Sequence, residues 1–301
     1  MYFITSKIAA QLIFITFFMQ TNIMQRKINA QNALKRTDIA IEFGLEISSD
    51  FEDDIVKRTS VIVDKDYSKK IGKAEGDYIT IETSVVNEGN KPEFTRVASA
   101  IADAILELTK KNNILVVGLG NPDMTADSLG KRVLDRTMIT RHLKKGKGSQ
   151  NMASVCGIYP NVLGVTGIES FDVIKGVVDR VNPDCVLVVD SLAGATVGRI
   201  ASAFQVSNAG ITPGSGISNH RTRLDKKSLG IEVISIGVPL VVYASTIIQD
   251  AFEGKAQEFD PSIGNMVVTP KEIDLLVVDC AAIIARAINI AFFGSDFDGL
   301  I

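Results

Sequence analysis

The 301-residue chain carries 32 basic and 35 acidic residues, a net charge of −3, and 46% of it is hydrophobic. That length buries one large core, or a core with an inserted subdomain, and the dispersed, near-neutral charge leaves no electrostatic footprint for direct nucleic-acid binding. Three widely spaced cysteines (Cys156, Cys185, Cys280) and two histidines (His142, His220) form neither a metal-ligand pattern nor a disulfide framework, so no metal or other cofactor is expected and a reducing compartment fits.

The apolar run from Ile8 to Met19 is shorter than the roughly 20 residues that span a bilayer. No small-residue cleavage site follows it. It reads as a signal or anchor, as a folded N-terminal element, or as upstream sequence ahead of a true start at Met24. The last reading is preferred, so residues 1–23 are set apart as a doubtful extension and no stable membrane association is expected. Residues 24–35 are polar, and Arg36 to Phe43 alternates polar and apolar, which predicts an extended segment. Ser60 to Val63 and Tyr78 to Thr83 predict strands with Lys65 to Gly72 as the turn between them, an antiparallel insert over about 59–90.

From Phe94 to Lys110 the apolar positions Val97, Ile101, Ala104, Ile105 and Leu108 recur at helical spacing and lead into a strand at Ile114 to Val117. A helix over Ala126 to Leu143, a strand over Val162 to Thr166, a helix over Phe171 to Val181 and a strand over Cys185 to Val189 follow. A strand at Glu232 to Ile236 and helices over Val241 to Phe252 and Lys271 to Phe292 complete the expectation. Alternating strands and helices predict a single α/β domain over 36–301, a mixed, mostly parallel sheet with helices on both faces and a small β-rich addition.

Two strands end on an acid. Val116-Val-Gly-Leu-Gly-Asn121 breaks into a glycine turn six residues before Asp127, and Val186-Leu-Val-Val runs into Asp190. Ligands of such sheets bind beyond the carboxyl ends of the strands, which places both acids on one edge. Two carboxylates within reach of each other cannot both ionise cheaply, so one keeps a proton while the other acts as base toward water. Structural readings stand beside this one: Thr125 as a helix cap with Asp127 in the first helical turn, and Asp190 as a buried turn cap. The Gly118-Leu-Gly120 turn lacks the third glycine of a dinucleotide fingerprint, having Asp123 there, and Pro122 removes an amide. Ser215 between Gly214 and Gly216, with His220 nearby, does not meet the nucleophile-elbow spacing. The long loop that holds them suits substrate contacts, as do His220, Arg221 and Arg223.

Read together, Arg36-Thr-Asp-Ile-Ala-Ile-Glu42, Val116 to Asn121, Thr125-Ala-Asp-Ser-Leu-Gly130, Thr166-Gly-Ile-Glu169, Val189-Asp-Ser-Leu-Ala193, Gly210 to Gly216 and Ile236-Gly-Val-Pro239 resemble the germination protease family of endospore-forming bacteria. The likeness spans about Arg36 to Phe293. It implies an aspartic-type endopeptidase with Asp127 and Asp190 as catalytic acids, and small acid-soluble spore proteins as substrates. It also implies a homotetramer made as a zymogen that removes its own propeptide, here within 24–35, in the cytoplasm of the forespore and spore core. Gly118, Gly120, Asn121, Gly214, Ser215, Gly216 and His220 are the expected substrate or oxyanion contacts. The same resemblance implies kinship with hydrogenase maturation endopeptidases. A nickel-dependent peptidase of that kind and a non-proteolytic nucleotide-binding module are the alternatives.

Overall fold

Residues 37–43, 50–145, 152–213, 222–252 and 261–295 are described by the computed structural model. A 3-10 turn at Ala40–Phe43 precedes β1 (Phe51–Glu52), β2 (Lys57–Val63), α1 (Lys65–Ile71) and β3 (Gly76–Glu82). Next come α2 (Phe94–Leu108), β4 (Asn113–Gly118), a 3-10 turn at Thr125–Asp127, α3 (Leu129–Leu134) and β5 (Ser154–Ile158). They are followed by α4 (Leu163–Thr166), α5 (Ser170–Val181), β6 (Cys185–Gly194), β7 (Ala203–Ser207) and α6 (Lys226–Leu229). The chain closes with β8 (Glu232–Tyr243), α7 (Ala244–Ala251), α8 (Pro261–Gly264), β9 (Val267–Val268) and α9 (Ile273–Phe293).

The strands form one mixed sheet in the order β1-β2-β3-β7-β8-β6-β4-β5, with β9 paired to β8. Its parallel part is β5, β4, β6 and β8, and the expected β-rich addition is an antiparallel wing that continues the same sheet through β7 and β3. Helices cover both faces. Ile114, Val116, Leu187 and Val189 point into the cluster built with α2 and α9, whereas Leu115, Val117, Val186 and Val188 meet Ile174, Val178 and Leu229 of α5 and α6. Burial on both faces is why β6 reads as an unbroken apolar run. Among the described residues, α9 is the helix long and apolar enough to cross a membrane, and half of its apolar window lies inside the protein, with Cys280, Ile283, Ile284, Ala287 and Ile288 wholly inaccessible.

Several local expectations fail for visible reasons. Lys65 to Gly72 is a capped helix, not a turn: Asp64 accepts the Tyr67 N–H at 2.7 Å and Gly72, at φ 72°, closes the other end. The extended segment ends in the Ala40–Phe43 3-10 turn. The helix expected over Ala126 to Leu143 breaks after Leu134, because Thr140 Oγ1 donates to Ala153 O (2.7 Å) and accepts from Val155 N–H (3.0 Å), drawing the chain alongside β5. Val162 to Thr166 is one helical turn closed by Gly167 at φ 71°, and the strand of that region is β5. β7 is a strand beyond those expected, and residues 241–243 extend β8 where the helix α7 was expected to begin.

Candidate functional site

Asp127 lies in the turn beyond the end of β4, and Asp190 lies within the neighbouring strand β6. Gly118 is the register partner of Val189, and the Leu119 N–H donates to the Val189 carbonyl at 2.8 Å, one residue before Asp190. The chain then turns at Gly120, φ 96°, a conformation that L side chains rarely adopt. The Asn121 N–H donates to Asp127 Oδ2 at 2.7 Å, so the half-buried carboxylate folds back onto the glycine turn. Thr125 does not cap a helix: it opens a 3-10 turn that packs against both β6 and β8, and Asp127 belongs to that turn, ahead of α3. With the Leu119 and Asn121 amides engaged within the protein, the turn is no phosphate cradle, and Gly120 contributes the remaining amide of the bend.

Close approach explains a glycine missed in the sequence. A Cβ on Gly118 would stand 2.3 Å from Gly130 O, and one on Gly130 would stand 2.4 Å from Leu119 N. The start of α3 therefore lies directly on the end of β4, which sets where the preceding turn can place Asp127.

Asp190 sits inside a strand and not at its end, since β6 continues to Gly194 beside β8. It is buried at 7% exposure, and its Oδ1 accepts the Ser191 N–H at 2.9 Å, while Ser191 Oγ is buried with no hydrogen-bond partner among the described residues. Its partner across the ladder, Gly237, is a second unforeseen glycine: a Cβ there would meet Leu192 Cγ at 2.6 Å and Asp190 O at 2.8 Å.

Beyond Asp190, β6 receives the segment Thr37–Phe43. The Asp38 N–H donates to Ala193 O at 2.9 Å, and the Ala193 N–H donates back to Asp38 Oδ2 at 3.0 Å. Gln205 of β7 closes the segment from the other side, accepting the Ala40 N–H (2.7 Å) and donating to Asp38 O (3.0 Å). Glu42 accepts the Ala195 N–H at 2.8 Å and a hydrogen bond from Thr37 Oγ1. Burial pushes the Glu42 carboxyl above its usual range, against the pull of those donors and of Arg199 and Lys73.

The expected loop contacts divide. Gly214, Ser215, Gly216, His220 and Arg221 lie outside the described residues, whereas the approach to that loop is fixed by Ile211 bridging Leu224 in both directions at 2.9 and 2.8 Å. Arg223 staples this approach, donating to Ala209 O (2.6 Å) and Gly210 O (2.9 Å). Among the described residues no group of three or more His, Cys, Asp and Glu side chains is arranged to hold a metal.

The fold is a mixed α/β sheet with the Asp127 turn after β4 and Asp190 within β4's parallel neighbour β6. Comparison with known proteins takes this further. The sequence profile described as germination protease matches residues 20–262. The germination protease of Caldanaerobacter subterraneus subsp. tengcongensis is 39% identical over 302 aligned positions, 85% of this chain and 93% of that protein. Those of Clostridium perfringens (strain ATCC 13124) and Geobacillus sp. (strain WCH70) are 36% and 32% identical, covering 85% and 89% of this chain and 94% and 96% of their own lengths. This chain belongs to the germination protease family and is a peptidase. Among solved structures, the NiFe hydrogenase maturation protease HycI from Thermococcus kodakarensis KOD1 is similar at 20% identity and a TM-score of 0.34, over 64% of this chain and 99% of its own.

Proposed function

We propose that this protein is the endopeptidase that begins the breakdown of small acid-soluble spore proteins at germination, in the cytoplasm of the spore core. It is made as a zymogen whose propeptide lies within 24–35, it processes itself, and it works as a homotetramer. The observation that supports the catalytic part is the β4/β6 ladder, in which Leu119, just before the Gly120 turn that leads to Asp127, bonds the carbonyl of Val189, just before Asp190. In this mechanism the pair holds one proton between them. The ionised acid takes a proton from water, whose oxygen attacks the peptide carbonyl. The protonated acid then supplies the proton that lets the amine leave. The Gly120 amide and those of Gly214 to Gly216 are candidate donors to the oxyanion.

The test is the pair of isosteric variants Asp127→Asn and Asp190→Asn, incubated with acid-extracted spore proteins and read by mass spectrometry. Each should lose at least about 1,000-fold in cleavage rate, the scale of removing a general acid or base, while keeping the oligomeric mass of the wild type. An active variant removes its residue from the mechanism. Activity lost to chelator and restored by nickel would point instead to metal-assisted hydrolysis.

A further inference from the structure

Along one edge of β6, three alternate residues meet different partners. Backbone groups two residues apart in a strand face the same way, so Val189, Ser191 and Ala193 all present theirs to the side on which β4 lies. The Val189 carbonyl takes the Leu119 N–H at 2.8 Å, and Ala193 accepts the Asp38 N–H at 2.9 Å and donates to Asp38 Oδ2 at 3.0 Å. Between them, one residue past the last β4 pairing, the Ser191 N–H donates to Asp190 Oδ1 at 2.9 Å. The Asp190 carboxylate is thereby turned to the β4 side of its strand.

The Ser191 side chain is placed differently from its amide. Alternation sets it with Leu187 and Val189 on the face covered by α2 and α9, and the Thr125–Asp127 turn, which packs against α9, β6 and β8, stands on that face too. On the opposite face Leu192 and Gly237, the register partner of Asp190, line with Lys73 a cavity of about 160 Å³, large enough for water. Ser191 is half-buried as a residue, but its Oγ is inaccessible and has no hydrogen-bond partner among the described residues. A buried hydroxyl left unpaired costs folding free energy that an alanine would not. Tyr67, Thr80 and Ser245 carry hydroxyls in the same condition, yet only Ser191 adjoins one of the two acids in the chain.

We infer that Ser191 is a third catalytic residue, whose hydroxyl oxygen accepts one hydrogen of the attacking water while the ionised acid takes the other as a proton. Held at both hydrogens, the water aims a lone pair at the peptide carbonyl carbon. As the new C–O bond forms, the carbonyl π pair moves onto its oxygen, and Ser191 neither gains nor loses a proton. The inference rests on the peptidase reading above.

The full-length protein, once it has processed itself, is incubated with acid-extracted spore proteins, the cut bonds are mapped, and a peptide spanning one of them supplies kcat and KM. Ser191→Ala should lower kcat by at least about tenfold, the scale of one hydrogen bond, with KM unchanged and a thermal transition at or above that of the wild type. Two inhibitors built on the same peptide read the contact directly. One carries CH(OH)–CH2 in place of the scissile amide, its hydroxyl standing where the water oxygen adds, and the other carries CH2–CH2. Ser191→Ala should weaken the first by about tenfold and leave the second as it was. A variant with wild-type kcat, or one that weakens both inhibitors alike or neither, overturns the role of Ser191 while the peptidase reading stands. A wild type that cuts nothing overturns the peptidase reading, and this inference with it.

Discussion

Replacing Gly120 by alanine tests whether the glycine turn exists to place Asp127. At φ 96°, the added methyl would stand 2.0 Å from Asp127 O and 2.8 Å from Asp127 Oδ1. Restoring ordinary contact at 3.4 Å requires about 1.4 Å of relative movement between Gly120 and the Asp127 turn. A misplacement of about 1 Å at a catalytic group costs on the order of 100-fold, so kcat/KM should fall by about 100-fold or more. Left-handed backbone strain and overpacking together cost about 2–5 kcal/mol. With an unfolding entropy of about 2.1 cal/mol/K per residue, that lowers the melting temperature of a chain this long by about 3–8 °C. Peptide hydrolysis and thermal unfolding on the same preparation separate the two effects. Gly164→Ala, in the short helix α4 with open space around the new methyl, is the control and should stay near wild type in both assays. If Gly120→Ala keeps activity within threefold of wild type, the turn does not position Asp127 and the argument fails.

Glu42 gives a prediction in pH. Its carboxyl is raised from 4.5 by burial, so the folded protein binds this proton more tightly than the unfolded chain. The ionised form therefore costs stability above the raised value, and the cost fades as pH falls toward 4.5. Glu42→Gln, uncharged throughout, should melt above the wild type near neutral pH, with the gap closing on acidification; a gap that widens contradicts the burial argument. The cysteines differ in access: burial pushes the Cys185 thiol up to about 12 and raises Cys280 as well, so alkylation of the native protein followed by mass spectrometry should spare both until denaturant is added. Gly176 lies within α5 with open space where a methyl would stand, and Gly176→Ala should stabilise the fold by about 0.5–1 kcal/mol in urea melts.

What could be read in the sequence was what depends on neighbours in the chain. Cys185 to Val189 announces a buried parallel strand by composition, and Val97, Ile101, Ile105 and Leu108 announce α2 by spacing, because each pattern is a local record of burial. Asp127 and Asp190 could be singled out because each follows such a run. The sequence is silent where distant partners decide. β7 carries Gln205 in its centre, a poor sign for a buried strand until Ala40 and Asp38 are seen to satisfy the amide. β5 is short, holds Gly157 and takes its place from Thr140. Thr37 to Phe43 docks onto Ala193 and Ala195, and among the described residues it forms no strand. Lys73 gave no local signal, since the cavity it lines is built from six separate stretches of chain.

The strand order also dictates a sequence of events during synthesis. The hairpin of β2 and β3 emerges early, but the edge of β3 from Tyr78 to Glu82 is completed only by Ala203 to Ser207. Until then its outer N–H and C=O groups stay exposed, an aggregation hazard for the nascent chain. The β4/β6 ladder, by contrast, can close once residue 194 has left the ribosome. Asp38 needs Ala193 and Gln205 together, so its segment docks after both strands are in place. Translation order thus lets Thr37–Phe43 dock onto the sheet only after the chain that forms the β4/β6 ladder is available.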